Sequence, residues 1–218
     1  MNPFDPKELD ELPEVLPIFA LNDATLLPGT SLPLNIFEPR YLNMILDAFA
    51  ADRLIGMLQP DPRFSEESPV QTFKVGCAGR ITAFNETDDG RLLINLQGVC
   101  RFRVGREIEI RHGYRRVIPQ WSEYITDLQR DDEFTMPRDE FKQAFQAFFD
   151  ANGIRLDWSA LEKKQDWYLV DFLAMNLPFS SEERQALLEA QTTAQRCQTL
   201  LTIVRMATVD VDSGTTRH

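Results

Sequence analysis

Histidine and cysteine are scarce in this 218-residue chain. There are two histidines, His112 and the terminal His218, and three cysteines without close spacing, Cys77, Cys100 and Cys197. A zinc site needs several such ligands close together, and a disulfide framework needs paired cysteines. A general base at His112 would need a nearby nucleophile, which the sequence does not place. We therefore predict no metal site, no cofactor and three small buried thiols in a reducing compartment.

Long apolar runs are also missing, and the overall charge is negative. No run approaches the roughly 20 apolar residues that a membrane-spanning helix requires. The N-terminal stretch MNPFDPKELDELPE is acidic and has no apolar centre, unlike a secretory signal peptide. The net charge of −11 disfavours general attraction to nucleic acid and to anionic membranes. We expect a cytoplasmic protein without membrane contact, for which nucleic acid is an unfavoured partner.

Two weak signals leave alternatives open. Ser159 and Lys163 are four residues apart on a predicted helix, a spacing that a Ser–Lys hydrolase could use, although a serine beside a helix start usually caps it. A P-loop is excluded, because no glycine-rich loop is followed by Lys-Ser or Lys-Thr. The second signal is a series of arginines that could bind RNA or form the wet face of a sheet: Arg101, Arg103, Arg106, Arg111, Arg115 and Arg116.

The chain up to residue 120 is rich in short strand patterns with frequent Gly and Pro. The patterns predict strands over 15–21, 31–37, 54–58, 73–84, 91–96, 99–110 and 114–118. One helix begins at Glu38-Pro39-Arg40, where proline suits the first helical position. Its apolar residues Leu42, Ile45, Leu46 and Phe49 form one predicted stripe. Many short strands favour a curled, mostly antiparallel sheet or barrel.

Helical patterns follow from Trp121. They predict an aromatic stripe over 141–149, a helical region over 157–177, a capping box at Ser180–Glu183 and a last helix with apolar residues from 187 to 204. We divide the chain into a flexible leader (1–14), a β-rich domain (15–120), a helical bundle (121–208) and a tail (209–218). The fold class is α+β.

Two blocks of sequence resemble a known family. The stretch LPIFALNDATLLPGTSLPLNIFEPRYLNMI is similar to the start of the Lon protease N-terminal domain, in its stand-alone bacterial form. The stretch VGCAGRITAFNETDDGRLLINLQGVCRFRV is similar to the family's second block, and LPFSSEERQALLEA resembles its helical part. The resemblance covers nearly the whole chain after residue 14. It implies a PUA-like pseudo-barrel followed by a helical bundle.

The resemblance also implies a function without catalysis. In full-length Lon this region helps to recognise substrate proteins, whereas the ATPase and Ser–Lys peptidase domains lie elsewhere. We therefore expect a non-enzymatic module that binds unfolded polypeptides or docks on a protease or chaperone. Its oligomeric state is open. The predicted binding surface lies between the β domain and the helices and is lined by Phe37, Tyr41, Met44, Met57 and Phe64. For Phe37 and Met57, packing in the core is favoured over a place on this surface.

Overall fold

The computed structural model describes residues 6–67, 69–129, 133–155, 158 and 163–212, except for the side chains of 151 and 209–212. These residues form two compact units. The first lies within Met1–Arg130 and Ser180–Leu188, and the second within Asp131–Phe179 and Glu189–His218. No helix in the described ranges is long and apolar enough to cross a membrane.

The first unit is built on six strands. They are β1 (Leu16–Ala20), β2 (Ser31–Ile36), β3 (Leu54–Leu58), β4 (Val75–Glu86), β5 (Leu92–Arg111) and β6 (Tyr114–Gln120). Their order is β2-β5-β4-β3-β1-β6, and β6 also pairs with β5, so the sheet closes on itself and β2 is an edge strand. β1 and β3 run parallel, and the other pairings are antiparallel. The predicted curled, mostly antiparallel sheet is confirmed.

Strand β5 differs from the prediction. Two strands were expected over 91–96 and 99–110, but the structure has one strand of 20 residues. Gly98 does not break it, because its missing Cβ leaves room for the backbone carbonyl of Leu27. The added length lets the first part of β5 pair with β2 while its second part pairs with β6.

Five α-helices are described: α1 (Pro39–Phe49), α2 (Arg138–Asn152), α3 (Asp166–Asn176), α4 (Ser181–Glu189) and α5 (Thr193–Asp212). The capping box at the start of α4 is present. The backbone N–H of Glu183 donates to Oγ of Ser180 (3.2 Å), and the backbone N–H of Ser180 donates to Oε2 of Glu183 (2.8 Å). α4 belongs to the first unit up to Leu188, although the sequence around it belongs to the second.

A buried ion pair lies inside the first unit. Arg101 is 2 % exposed, and its guanidinium donates to both carboxylate oxygens of Asp127 (2.8 Å each) and to the carbonyl of Leu188 (2.9 Å). The ring of Tyr124 lies 4.4 Å from the guanidinium carbon. The expectation that this arginine lies on the wet face of the sheet is wrong, because the 3₁₀ segment Ser122–Leu128 brings a carboxylate to it.

Most of the described residues before β1 are exposed, but some of them contact the rest of the first unit. Leu12 is buried, and the carbonyl of Pro13 accepts a hydrogen bond from the indole of Trp121 (3.2 Å). Residues 1–5 of the predicted leader lie outside the described residues. The units also differ from the predicted division at residue 120, because the segment Ser122–Leu128 and the residues Ser180–Leu188 fall in the first unit.

The second unit contains α2, α3 and α5. The predicted aromatic stripe is buried: Phe141, Phe145, Phe148 and Phe149. Asp171 of α3 and Arg196 of α5 form a buried ion pair (2.7 Å). The predicted last helix is in fact two helices, because α4 ends at Glu189 and α5 begins at Thr193. The hydroxyl of Thr192 accepts from the backbone N–H of Gln195 (3.1 Å), which caps the new helix.

We predict that the Arg101–Asp127 pair controls the stability of the first unit. Asp127→Ala leaves a buried guanidinium without its carboxylate and should lower the free energy of unfolding by about 3–5 kcal/mol. Urea unfolding followed by Trp121 fluorescence, with Trp158→Phe and Trp167→Phe in the background, measures this change.

The matched control is Glu123→Gln, which breaks the exposed Arg103–Glu123 pair and should cost less than about 1 kcal/mol. The double variant Arg101→Met/Asp127→Leu removes both charges and should regain much of the loss. Equal effects of Asp127→Ala and Glu123→Gln would contradict the prediction.

Candidate functional site

Three of the five predicted binding residues are buried in the first unit. Tyr41, Met44 and Met57 are 7 %, 0 % and 2 % exposed. The ring of Tyr41 lies 4.2 Å from the ring of Phe19, and its hydroxyl points to the carbonyl of Ala20 (3.5 Å). The expectation that Tyr41 and Met44 line an accessible surface is therefore wrong, because both lie on the buried face of α1. Met57 of β3 occupies the core position that was favoured for it.

The other two residues are exposed but far apart. Phe37 is 61 % exposed, contrary to the core position favoured for it, and Phe64 is 37 % exposed. Phe64 lies beyond β3, toward the Val75 end of β4, whereas Phe37 lies near the Glu86 end. A strand of 12 residues at about 3.3 Å per residue separates the two ends by roughly 30 Å. One short binding segment cannot cover both.

Helix α1 has more apolar surface than its packing uses. Its buried residues are Tyr41, Met44, Ile45 and Ala48. The predicted stripe is offset from this face. Only Ile45 of the stripe is buried, while Leu42 and Phe49 are half-buried and Leu46 is 58 % exposed. At 100° per residue these three side chains form a single flank beside the buried face. One flank of α1 is therefore apolar and open.

This flank continues onto the neighbouring strand and loop. The ring of Phe49 lies 4.7 Å from the ring of Phe84 on β4, which is 63 % exposed. Phe37 precedes the cap residue Glu38, and Leu42 is the fourth helical residue, the two positions that pack together in a hydrophobic staple. We call the set formed by Phe37, Leu42, Leu46, Phe49 and Phe84 the α1–β4 surface.

The two faces of the sheet differ in this region. Phe84 pairs with Ile94, which pairs with Leu34, so the three side chains share one apolar face. The opposite face carries a polar network, in which Asn95 accepts from the hydroxyl of Ser31 (2.8 Å) and donates to that of Thr82 (3.1 Å). The α1–β4 surface is therefore confined to one face.

The other flank of α1 is polar and fixed by Asp47. Its Oδ2 accepts from the hydroxyl of Tyr114 (2.7 Å) and lies 2.7 Å from Nδ1 of His112 and 3.3 Å from Nε of Arg111. The hydrogen bond from Tyr114 is the main cause that lowers the pKa of Asp47. Burial, and then Asp47, raise the pKa of Tyr114 to about 12. This cluster ties the β5–β6 turn at His112-Gly113 to α1.

The side chain of His112, considered above as a general base, is 57 % exposed. Its contact with Asp47 was not predicted, because the two residues are 65 positions apart. The exposed apolar flank of α1, by contrast, could have been predicted from the sequence. The apolar residues of this helix cover a wider arc than one buried face requires.

The remaining candidate sites have these positions. Lys163 is exposed, whereas Ser159 lies outside the described residues. Arg103 and Arg115 contact Glu123 and Glu107, and Arg116 donates to a backbone carbonyl. Within the described ranges no three His, Cys, Asp or Glu side chains lie close enough together to hold a metal ion.

All three thiols are buried, as predicted. Burial raises the pKa of the Cys197 thiol to about 11. It raises the pKa of Cys77 and of Cys100 well above the ordinary value. A thiol with a raised pKa carries little thiolate at neutral pH and is a poor nucleophile.

Known proteins resemble this chain in sequence. The family model described as the ATP-dependent protease La (LON) substrate-binding domain matches residues 15–205. A Lon protease of Flavobacterium johnsoniae is 28 % identical over 202 residues, which are 90 % of this chain and 25 % of that protein. A Lon protease 2 of Bdellovibrio bacteriovorus is 32 % identical over 102 residues, 46 % of this chain and 13 % of that protein. The chain spans about a quarter or less of these relatives.

Solved structures resemble it in fold. A Lon N-terminal domain protein from Xanthomonas campestris has a TM-score of 0.61 and 26 % identity, covering 86 % of this chain and 97 % of that one. The N-terminal domain of a Mycobacterium avium complex Lon protease has the same TM-score at 14 % identity, covering 87 % and 97 %. The α+β fold is shared with both.

We predict that the Asp47 cluster stabilises the first unit in a pH-dependent way. Because its pKa is lowered in the folded state, Asp47 contributes stability above its ordinary value of 3.8 and loses it as pH falls through the lowered pKa. Asp47→Asn should cost about 1 kcal/mol near neutral pH and progressively less below about pH 4. Urea unfolding across this pH range measures the difference from the unsubstituted protein.

The matched control is Asp52→Asn, which removes an exposed carboxylate near the end of α1 and should have little effect at any pH. A cost of Asp47→Asn that stays constant down to pH 3 would show that the titration of Asp47 is not the cause.

Proposed function

Because the chain belongs to the family of the ATP-dependent protease La (LON) substrate-binding domain, we propose that it is a non-catalytic module that binds polypeptides. The occupant is an extended apolar segment of an unfolded protein. The observation that carries the proposal is the α1–β4 surface, where the aromatic rings of Phe37 and Phe84 are more than half exposed. Contiguous exposed apolar patches on soluble proteins are characteristic of interaction sites.

The composition of the surface suits a varied set of apolar ligands. Its three phenylalanines and two leucines provide apolar contact area and no side-chain hydrogen-bonding group, so they do not require one particular ligand sequence. A partner that covers about 300 Å² of this apolar area gains roughly 7 kcal/mol gross at about 25 cal/mol per Å². Association costs of at least about 4 kcal/mol offset much of this gain. The net gain of about 3 kcal/mol corresponds to a weak, roughly millimolar Kd from this apolar area alone, which suits transient capture.

The polar flank supports the placement of the site. Asp47 holds the β5–β6 turn against α1, so that side of the helix is already occupied by the protein's own groups. Only the flank with Leu42, Leu46 and Phe49 is open. Several of the arginines considered for RNA binding are engaged by carboxylates or buried, which favours a polypeptide over RNA.

We predict that the double variant Leu46→Gln/Phe84→Thr binds unfolded protein at least tenfold more weakly than the unsubstituted chain. Both side chains are largely exposed, and the substitutes suit a helix and a strand, so the fold should be retained. The measurement is fluorescence anisotropy of a labelled, permanently unfolded protein titrated with each variant, beside its folded counterpart.

The matched control is Leu93→Thr/Met206→Gln. Leu93 is 43 % exposed on the opposite face of the sheet, and Met206 is 60 % exposed on α5. This control should bind as the unsubstituted chain does. Equal loss in both double variants would mean that exposed apolar area in general, rather than the α1–β4 surface, causes binding. Absence of binding by the unsubstituted chain would reject the proposed function itself.

A further inference from the structure

The segments that carry the α1–β4 surface are acidic. Residues 37–53 and 84–91 contain six carboxylates, three arginines and no lysine. Arg40 pairs with Glu38 and Arg91 pairs with Asp89 (2.8 Å each), so each pair cancels one carboxylate and one arginine. The Arg91 guanidinium also lies 5.6 Å from the ring of Phe37. The surface therefore lies in a region of net negative charge.

Two carboxylates stand beside the exposed rings. Glu86 follows Phe84 by two residues on β4 and shares its face of the sheet. Asp88 lies in the turn that follows. Both are exposed, and within the described part of the chain no ion pair engages either side chain. Their charge is available to a ligand that lies across the surface.

The end of α1 adds to the same potential. The last turn of α1 contains no basic side chain, and its one carboxylate, Asp47, lies on the polar flank beside Arg111 and His112 and does not add charge to the α1–β4 surface. The C-terminal end of a helix carries a partial negative charge, which favours a nearby cation. This end of the helix is the position of Phe49, at the centre of the surface. The basic residue closest in sequence to Phe49 is Arg53, which lies just beyond the end of α1.

We infer that the α1–β4 surface selects apolar segments that carry lysine or arginine within a few residues, over equivalent segments flanked by aspartate or glutamate. The inference rests on the proposed function and specifies its ligand. Rim charges discriminate between ligands by attraction and repulsion even when the apolar contact is the same.

The test uses three labelled peptides with one shared apolar core of about eight residues and flanks of lysine, glutamine or glutamate. Anisotropy titrations at about 50 mM salt should give roughly tenfold tighter binding for the lysine-flanked than for the glutamate-flanked peptide. At about 500 mM salt the ratio should fall toward one, because exposed charges are screened.

The variant Glu86→Gln/Asp88→Asn should lower the ratio at low salt by at least half. Its matched control is Glu66→Gln/Glu109→Gln, which removes the same net charge at exposed positions away from the α1–β4 surface and should keep the ratio.

The outcomes separate the two proposals. Equal affinity for all three peptides overturns the charge preference and leaves the proposed function standing. Absence of binding to every peptide counts against the proposed function. An equal fall of the ratio in both double variants assigns the preference to the overall charge of −11 and overturns the role of Glu86 and Asp88.

Discussion

The first unit depends on the burial of one arginine in the middle of its longest strand. A guanidinium cannot lose its charge in a protein, so its burial costs several kcal/mol unless every donor is satisfied. Arg101 meets this requirement with groups that lie 26 and 87 residues further along the chain, Asp127 and Leu188. The barrel, the 3₁₀ segment after it and α4 are therefore ordered together around a single side chain. This arrangement also favours one register of β5 over its neighbours.

The two flanks of helix α1 differ chemically. On one side Asp47 gathers Tyr114, His112 and Arg111, and on the other side a row of leucine and phenylalanine side chains meets Phe84. The polar side is saturated by internal partners, while the apolar side has few. The asymmetry gives the helix a structural role on one flank and leaves an exposed apolar surface on the other.

Local patterns predicted most of the elements, and contacts distant in sequence account for most of the errors. Pro39 at the start of α1 and the Ser180–Glu183 box follow from backbone chemistry within four residues, so both are readable from the sequence. Which residues of α1 are buried cannot be read from the sequence in this way. The buried face is offset from the apolar stripe, and this offset depends on where the strands lie beneath the helix. The position of Arg101 depends on Asp127 and Leu188, which no local pattern links to β5. Phe37 was misplaced for the same reason, since alternation in β2 does not show that the chain turns outward after Ile36.

The path of the chain through the two units sets an order for folding during synthesis. Domains usually fold as units as they leave the ribosome, beginning at the N-terminus. Here the strands of the barrel are complete at Gln120, yet the acceptor for Arg101 at Leu188 and the buried amide of Gln185, which donates to the carbonyl of Val75, are translated after α2 and α3. A nascent chain that ends before α4 therefore holds a barrel with an incompletely satisfied cation. The hydrogen bonding of Arg101 is completed only by a helix made some 60 residues after the last strand of the barrel.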